Sequence, residues 1–237
     1  MYNSAYMPFH YLAPYCIQFL AAVPLRLLFR FFIHTEIIGL EHIRPLRTPF
    51  ILASNHSHEL DPLLLVASLP LPARQLPLIF VSRTKQFYQP LGWRSVFYGG
   101  TLFQLLGALP AYPGLDNYDL ALTSHLHALS TGQSVCIFPL GKRHTDSDTG
   151  AARGGVAYLT YKTNAPIIPV RITGVTDLTV RHFFRRTRTV RITFGKPLIF
   201  ADISKNELTT PPNAERNRFE QAASVVMEKI IALDTLG

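Results

Sequence analysis

Short apolar runs, each too brief for a helix and each followed by a stretch of helical periodicity, constrain this chain more than any other feature. Phe50 to Ala53, Leu78 to Val81, Val135 to Phe138 and Ile167 to Ile172 are nearly free of charge, the pattern of buried strands. Val190 to Phe194 adds a strand with alternation. Helical patterns separate them. Pro62 to Leu69 follows the first strand, and Asp116 or Asn117 caps a helix with Leu122, Leu126 and Leu129 on one face and Gly132 at its end. Arg153 to Thr163 is closed by Asn164, and Ala214 to Leu233 is amphipathic. Strand and helix in alternation from about residue 36 onward predict an α/β sheet with helices on its faces.

The length of 237 residues suits one sizeable domain. Only 16% of residues are charged, against about a quarter in ordinary domains, a level that a soluble domain can reach and that also fits a protein with one face in lipid. The net charge of +8 favours an anionic partner such as a membrane surface, a phosphorylated substrate or nucleic acid. Cys16 and Cys136, both in apolar surroundings, build neither a disulfide framework nor a cysteine metal cluster, and point to a reducing compartment.

Residues 1–35 stand apart. Met1 to Leu25 contains no Asp, Glu, Lys or Arg; Arg26 and Arg30 then sit four apart beside Leu27, Leu28 and Phe31. The missing leading positive charge argues against a signal peptide, and Pro14, Gln18 and Pro24 interrupt what would otherwise be a span of about 20 apolar residues. The pattern fits a membrane-associating helix lying in the interface, with its cations among headgroups. A helix that covers the core of the domain is the alternative, and membrane lipids are the favoured partner. Between Pro90 and Pro113, Trp93, Phe97, Tyr98 and Phe103 surround a Gly-Gly pair with Arg94 as the single charge; a buried helix and a membrane-contacting or acyl-lining element explain this equally. The basic run Arg181 to Arg188, with Phe183 and Phe184 inside it, fits an interface with anionic headgroups better than nucleic acid, and a solvated hairpin turn is its plain alternative.

The chemistry concentrates in Ser54 to Leu65, SNHSHELDPLLL. A metal reading fails on ligands: where an HxHxDH pattern needs an acid and a histidine this chain has Leu60 and Asp61, while His125 and His127 lie on a helix and His144 and His182 are isolated. No metal site is expected. An acid–base reading fits the place, since in α/β sheets ligands bind where a strand's carboxyl end meets a helix. Asp61 followed by Pro62 is also a good helix start, with Asp as cap. If residues 55 to 60 form a turn, Asp61 can fold back onto one imidazole nitrogen of His56 and leave the other to take a proton. The alternative is a simple cap beside a core histidine.

The blocks along the chain tip that balance. Asn55-His56 with Asp61 resembles the NHxxxxD motif of the 1-acylglycerol-3-phosphate (lysophospholipid) acyltransferase family. Glu36 to Ile43 is similar to the stretch before that motif, Cys136 to Arg143 resembles the FPEGTR block, Ala165 to Val170 the aPIvPv block and Gly195 to Leu198 the closing GxPl. Five blocks in register over residues 36 to 200 make a specific resemblance. It implies a mixed central sheet flanked by helices, with residues 1–35 as membrane-associating segment, 36–200 as catalytic domain and 201–237 as a linker and amphipathic helix of the same domain.

The resemblance further implies acyl transfer from acyl-CoA or acyl-carrier protein to a lysophospholipid-type acceptor, with no cofactor beyond that co-substrate. His56 would be general base and Asp61 its orienter. Asn55 and backbone N–H groups near Gly141 would steady the oxyanion. Phe138, Pro139, Gly141, Lys142 and Arg143 would bind substrate, the two cations holding a phosphate. Work at the cytoplasmic face of a membrane follows. Two departures stand out: Leu140 replaces the acid of the FPEGTR block, and Tyr112 ends the second motif where the family has arginine. They imply, in order of preference, another acceptor, a phosphate site rebuilt from Lys142, Arg143 and Arg153, or a weakened, lipid-binding homologue.

Overall fold

The structure is a computed structural model that describes residues 9–47, 49–71, 74–84, 104–112, 117–143, 150–176, 178–204 and 214–236. Trp93, Phe97, Tyr98, Phe103 and His144, and the side chains of Phe183 and Phe184, lie outside what it describes.

The strands are β1 (His34–Ile38), β2 (Ile51–Ser54), β3 (Leu78–Ser82), β4 (Ala108–Pro110), β5 (Ser134–Ile137), β6 (Ile167–Thr173) and β7 (Thr189–Phe194). They form one seven-stranded sheet in the order β1-β7-β6-β2-β5-β3-β4. From β6 to β4 every pairing is parallel, β7 runs antiparallel to β6, and β1 is parallel to β7. The expected mixed sheet is thus observed, and the carboxyl ends of β6, β2, β5, β3 and β4 share one edge.

Both faces of the sheet are covered, which is why the central strands read as unbroken apolar runs. The helices are α1 (Phe9–Phe32), α2 (Asp61–Ser68), α3 (Tyr118–Ala121), α4 (Thr123–Ser130), α5 (Gly155–Thr163), α6 (Val180–Arg185), α7 (Phe200–Ile203) and α8 (Ala214–Ile231). Leu52, Phe80, Cys136, Ile168 and Val170 meet α1 and α2 through Ala22, Phe29, Leu64 and Leu65. Ile51, Ile79, Val135 and Ile167 meet α4, α5 and α8 through Leu129, Val156, Leu159, Phe219 and Val226 on the other face.

The expected single helix after residue 116 is two: Asn117 caps α3 by accepting from the Leu120 N–H, and the chain breaks at Leu122 before α4. The basic run is a short helix, α6, ending at a left-handed Arg186, and not a hairpin turn. Asn164 closes α5 in the left-handed region as expected. Gly39, at φ +80°, turns the chain out of β1; a Cβ there would sit 2.0 Å from the Phe194 carbonyl oxygen, so only glycine fits.

α1 is two-sided. Tyr11, Pro14, Gln18, Ala22 and Phe29 are buried, whereas Leu12, Phe19, Leu20, Val23, Leu27 and Phe31 are exposed. Gln18 is no interruption of an apolar face. It donates to the carbonyls of Leu78 and Leu106 and accepts from the Leu78 N–H, pinning α1 to the start of β3. Arg26 likewise points inward, capping the end of α2 through the carbonyls of Ala67 and Leu69; of the two arginines expected among headgroups, only Arg30 is exposed.

His125 on α4 is fully buried and donates from Nε2 to the Leu109 carbonyl at 3.2 Å, fastening edge strand β4. Burial pushes its pKa down to about 4. A depressed folded pKa means that stability present above the unfolded value of about 6.5 is lost as pH falls toward about 4. The full loss from this group is about 3 kcal/mol. Urea unfolding at stepped pH is expected to show it, and His125→Gln, which does not titrate, is expected to flatten that part of the curve. Parallel curves for the two proteins would contradict the assignment.

Candidate active site

Where β2 ends, Asn55 substitutes its side chain for the next rung of the ladder. Its Oδ1 accepts from the Ile172 N–H at 2.7 Å and its Nδ2 donates to the Ile172 carbonyl at 2.8 Å. The chain is thereby anchored to β6 just before it turns. Asp61, fully buried at the first residue of α2, organises that turn. Its Oδ2 accepts from the N–H groups of Ser57 (2.8 Å) and His58 (2.9 Å) and from His56 Nδ1 (2.8 Å). The sequence reading of Asp61 as helix cap is therefore corrected. Leu60 is the cap residue, without a side-chain bond, and the carboxylate folds back over the turn instead. The Leu60 N–H donates to His58 Nδ1 at 3.2 Å, giving His58 a structural place that spacing did not reveal.

The consequence for His56 is specific. With Nδ1 donating to Asp61, the imidazole holds the tautomer whose Nε2 carries a lone pair, and the ring keeps 21% of its surface open. The Phe138 ring lies against it, centroids 4.2 Å apart and planes 21° from parallel. Cys136, beneath the site, is wholly buried, and burial together with the Asp61 charge pushes its thiol pKa well up. It stays protonated and offers no nucleophile.

The second wall is the turn after β5. The Gly141 N–H donates to the Phe138 carbonyl at 2.9 Å, and Gly141 sits at φ +68°. A Cβ on Gly141 would lie 2.9 Å from Arg153 Nε, so glycine lets that guanidinium approach. The Arg153 N–H donates to the buried Pro139 carbonyl at 2.8 Å. Arg83, at the end of β3, donates from Nη2 to the Gly141 carbonyl at 2.7 Å. Arg143 pairs with Glu59 at 2.9 Å, tying this turn to the His56 turn, and Lys142 is exposed. Leu140 is buried in the core.

His56 and Asp61 thus meet, and Phe138, Pro139, Gly141, Lys142 and Arg143 form the adjoining wall. Asn55 spends Oδ1 and one Nδ2–H on Ile172, and the Gly141 N–H is spent on the Phe138 carbonyl, so these groups anchor the two turns. Arg83 was not singled out in the sequence, and Glu59, inside the variable positions of the motif, was given no catalytic role there. A cation directly after a buried strand was the available signal for Arg83, because strand carboxyl ends carry the site; Glu59 had no local signal. Among the described residues no group of three or more His, Cys, Asp or Glu could hold a metal ion.

A family model described as Acyltransferase matches residues 34–173, from the start of β1 to the end of β6. The chain belongs to the acyltransferase family. Transferases of acyl groups are its relatives in both sequence and structure. A chloroplastic 1-acyl-sn-glycerol-3-phosphate acyltransferase of Brassica napus is 28% identical over 145 residues, which make up 60% of this chain and 38% of the relative. The matched part of the chain therefore covers well under half of that relative's length. The crystal structure of the 1-acyl-sn-glycerophosphate (LPA) acyltransferase PlsC from Thermotoga maritima superposes with a TM-score of 0.58 at 18% identity. The match covers 97% of this chain and 86% of that one, so the two share a fold. Helix residues Tyr11–Phe32 are long and apolar enough, by length and composition, to cross a membrane.

Proposed function

We propose that this acyltransferase moves a fatty acyl group from a thioester, acyl-CoA or acyl-carrier protein, to a hydroxyl of a lysophospholipid-type acceptor. The observation that carries the reading is the 2.8 Å bond from His56 Nδ1 to Asp61, which leaves Nε2 basic at the open edge of the sheet. His56 Nε2 takes the acceptor's proton as its oxygen attacks the thioester carbonyl. The C–S bond then breaks, and the imidazolium returns the proton to the leaving thiolate. Asp61 stabilises the imidazolium while it exists.

Arg83, Lys142, Arg143 and Arg153 lie on or against the Gly141 turn and support an anionic group on acceptor or donor, since guanidinium forks suit phosphate. Glu59 gives Arg143 a carboxylate partner from the facing turn, where Leu140 offers none. The exposed apolar stripe of α1, with Arg30 at its end and Arg186 over the Phe31 ring at 5.3 Å, supports a helix lying in a membrane interface, its inner face being committed to the sheet. Two unpaired thiols fit the cytoplasmic side.

The test is an acceptor screen by mass spectrometry with acyl-CoA and acyl-carrier protein as donors. An acylated product from lysophosphatidic acid or another lysolipid is expected. Vesicle binding without transfer to any acceptor would leave a lipid-binding homologue.

A further inference from the structure

β2 and β5 lie side by side in parallel, with Ala53 opposite Ile137. β5 ends at Ile137 and β2 one residue later at Ser54, at the same edge of the sheet, and this brings Phe138 beside His56. The Phe138 ring is half-buried and packs against the apolar core under α1 and α2, so it is a fixed plate. Asp61 grips the imidazole by one edge, and Phe138 covers one of its faces at 4.2 Å and 21°. Rotation about the His56 side-chain bonds would have to break one contact or the other.

We infer that Phe138 is a positioning residue that aims His56 Nε2 and steadies the imidazolium as it forms. The proposal rests on His56 acting as base, and it gives Phe138 a different task from the substrate contact expected of its sequence block. A neutral imidazole gains modestly from an aromatic face, whereas an imidazolium within about 6 Å of the ring gains from its quadrupole. The contact therefore strengthens between the ground state and the proton-transfer step, and an interaction of that kind shows in kcat and not in KM.

The experiment compares wild type, Phe138→Leu and Phe138→Tyr, with His56→Ala in parallel. Phe138→Leu is expected to lower kcat roughly tenfold, the scale of one cation–π contact, with KM for donor and acceptor unchanged. Phe138→Tyr, which keeps the aromatic face, is expected to recover most of the loss. A second measurement needs only the wild-type fold: ring-proton resonances of His56, assigned by their disappearance in His56→Ala, are expected upfield of the other histidines through the Phe138 ring current. An unchanged kcat in Phe138→Leu, a change confined to KM, or His56 resonances at ordinary positions would overturn the proposal. If His56→Ala itself retains turnover, the base reading falls with it; if only the Phe138 results fail, the base reading stands.

Discussion

Replacing His56 with alanine is expected to lower acyl transfer at least about a hundredfold, the typical scale of general-base catalysis, with the fold intact. The variant deletes the imidazole whose tautomer Asp61 fixes and whose Nε2 is left to take the proton. Asp61→Asn is expected to act in the same direction, because an amide in place of the carboxylate loses the charge that balances the imidazolium. Steady-state rates at saturating donor and acceptor, with thermal melting as control, check both. Turnover unchanged in His56→Ala would remove the mechanism.

The second large effect concerns α1. Leu20 is 72% exposed and Leu27 62% exposed, and both lie on the face turned from the sheet. Burying a leucine in an apolar phase is worth about 1.5–3 kcal/mol, and placing a carboxylate there adds a desolvation penalty. Leu20→Glu with Leu27→Glu is therefore expected to lower vesicle partitioning by about a hundredfold or more while leaving the melting temperature almost unchanged. Flotation with vesicles of anionic and of neutral phospholipid measures it, and the cations Arg30, Arg181 and Arg188, all exposed, predict stronger binding to the anionic set. Equal flotation of variant and wild type would show that this face does not meet the bilayer.

Much of this was legible in the sequence because the central strands are buried on both sides. β2, β3, β5 and β6 announce themselves as apolar runs, and α2 follows β2 where expected. The edges were not legible. β1, His34–Ile38, is exposed or half-buried throughout and carries polar residues, and β4 is three residues long and ends in proline. Neither has the periodicity that burial imposes, and edge strands do not need it.

The candidate site divides in the same way. The spacing of His56 and Asp61 revealed the pair, since a turn of that length can bring them together. It did not reveal that Asp61 would also collect the N–H groups of Ser57 and His58, or that Asn55 would be consumed by β6. The Asn55 bonds depend on which strand lies alongside β2, a property of the sheet order, and the Asp61 bonds depend on the backbone path of the turn, which spacing alone does not fix. Gln18 and Arg26 make the same point on α1. Hydropathy along the chain registers them as polar interruptions, while the fold turns both inward onto backbone carbonyls.

The most direct measurement is to follow free thiol and acylated lysolipid in one reaction of the wild-type protein with an acyl thioester and the acceptor selected by the screen. The account predicts that thiol appears only with acceptor present and in one-to-one proportion with the new ester. Thiol released with no ester formed, or no thiol with any acceptor, would contradict it.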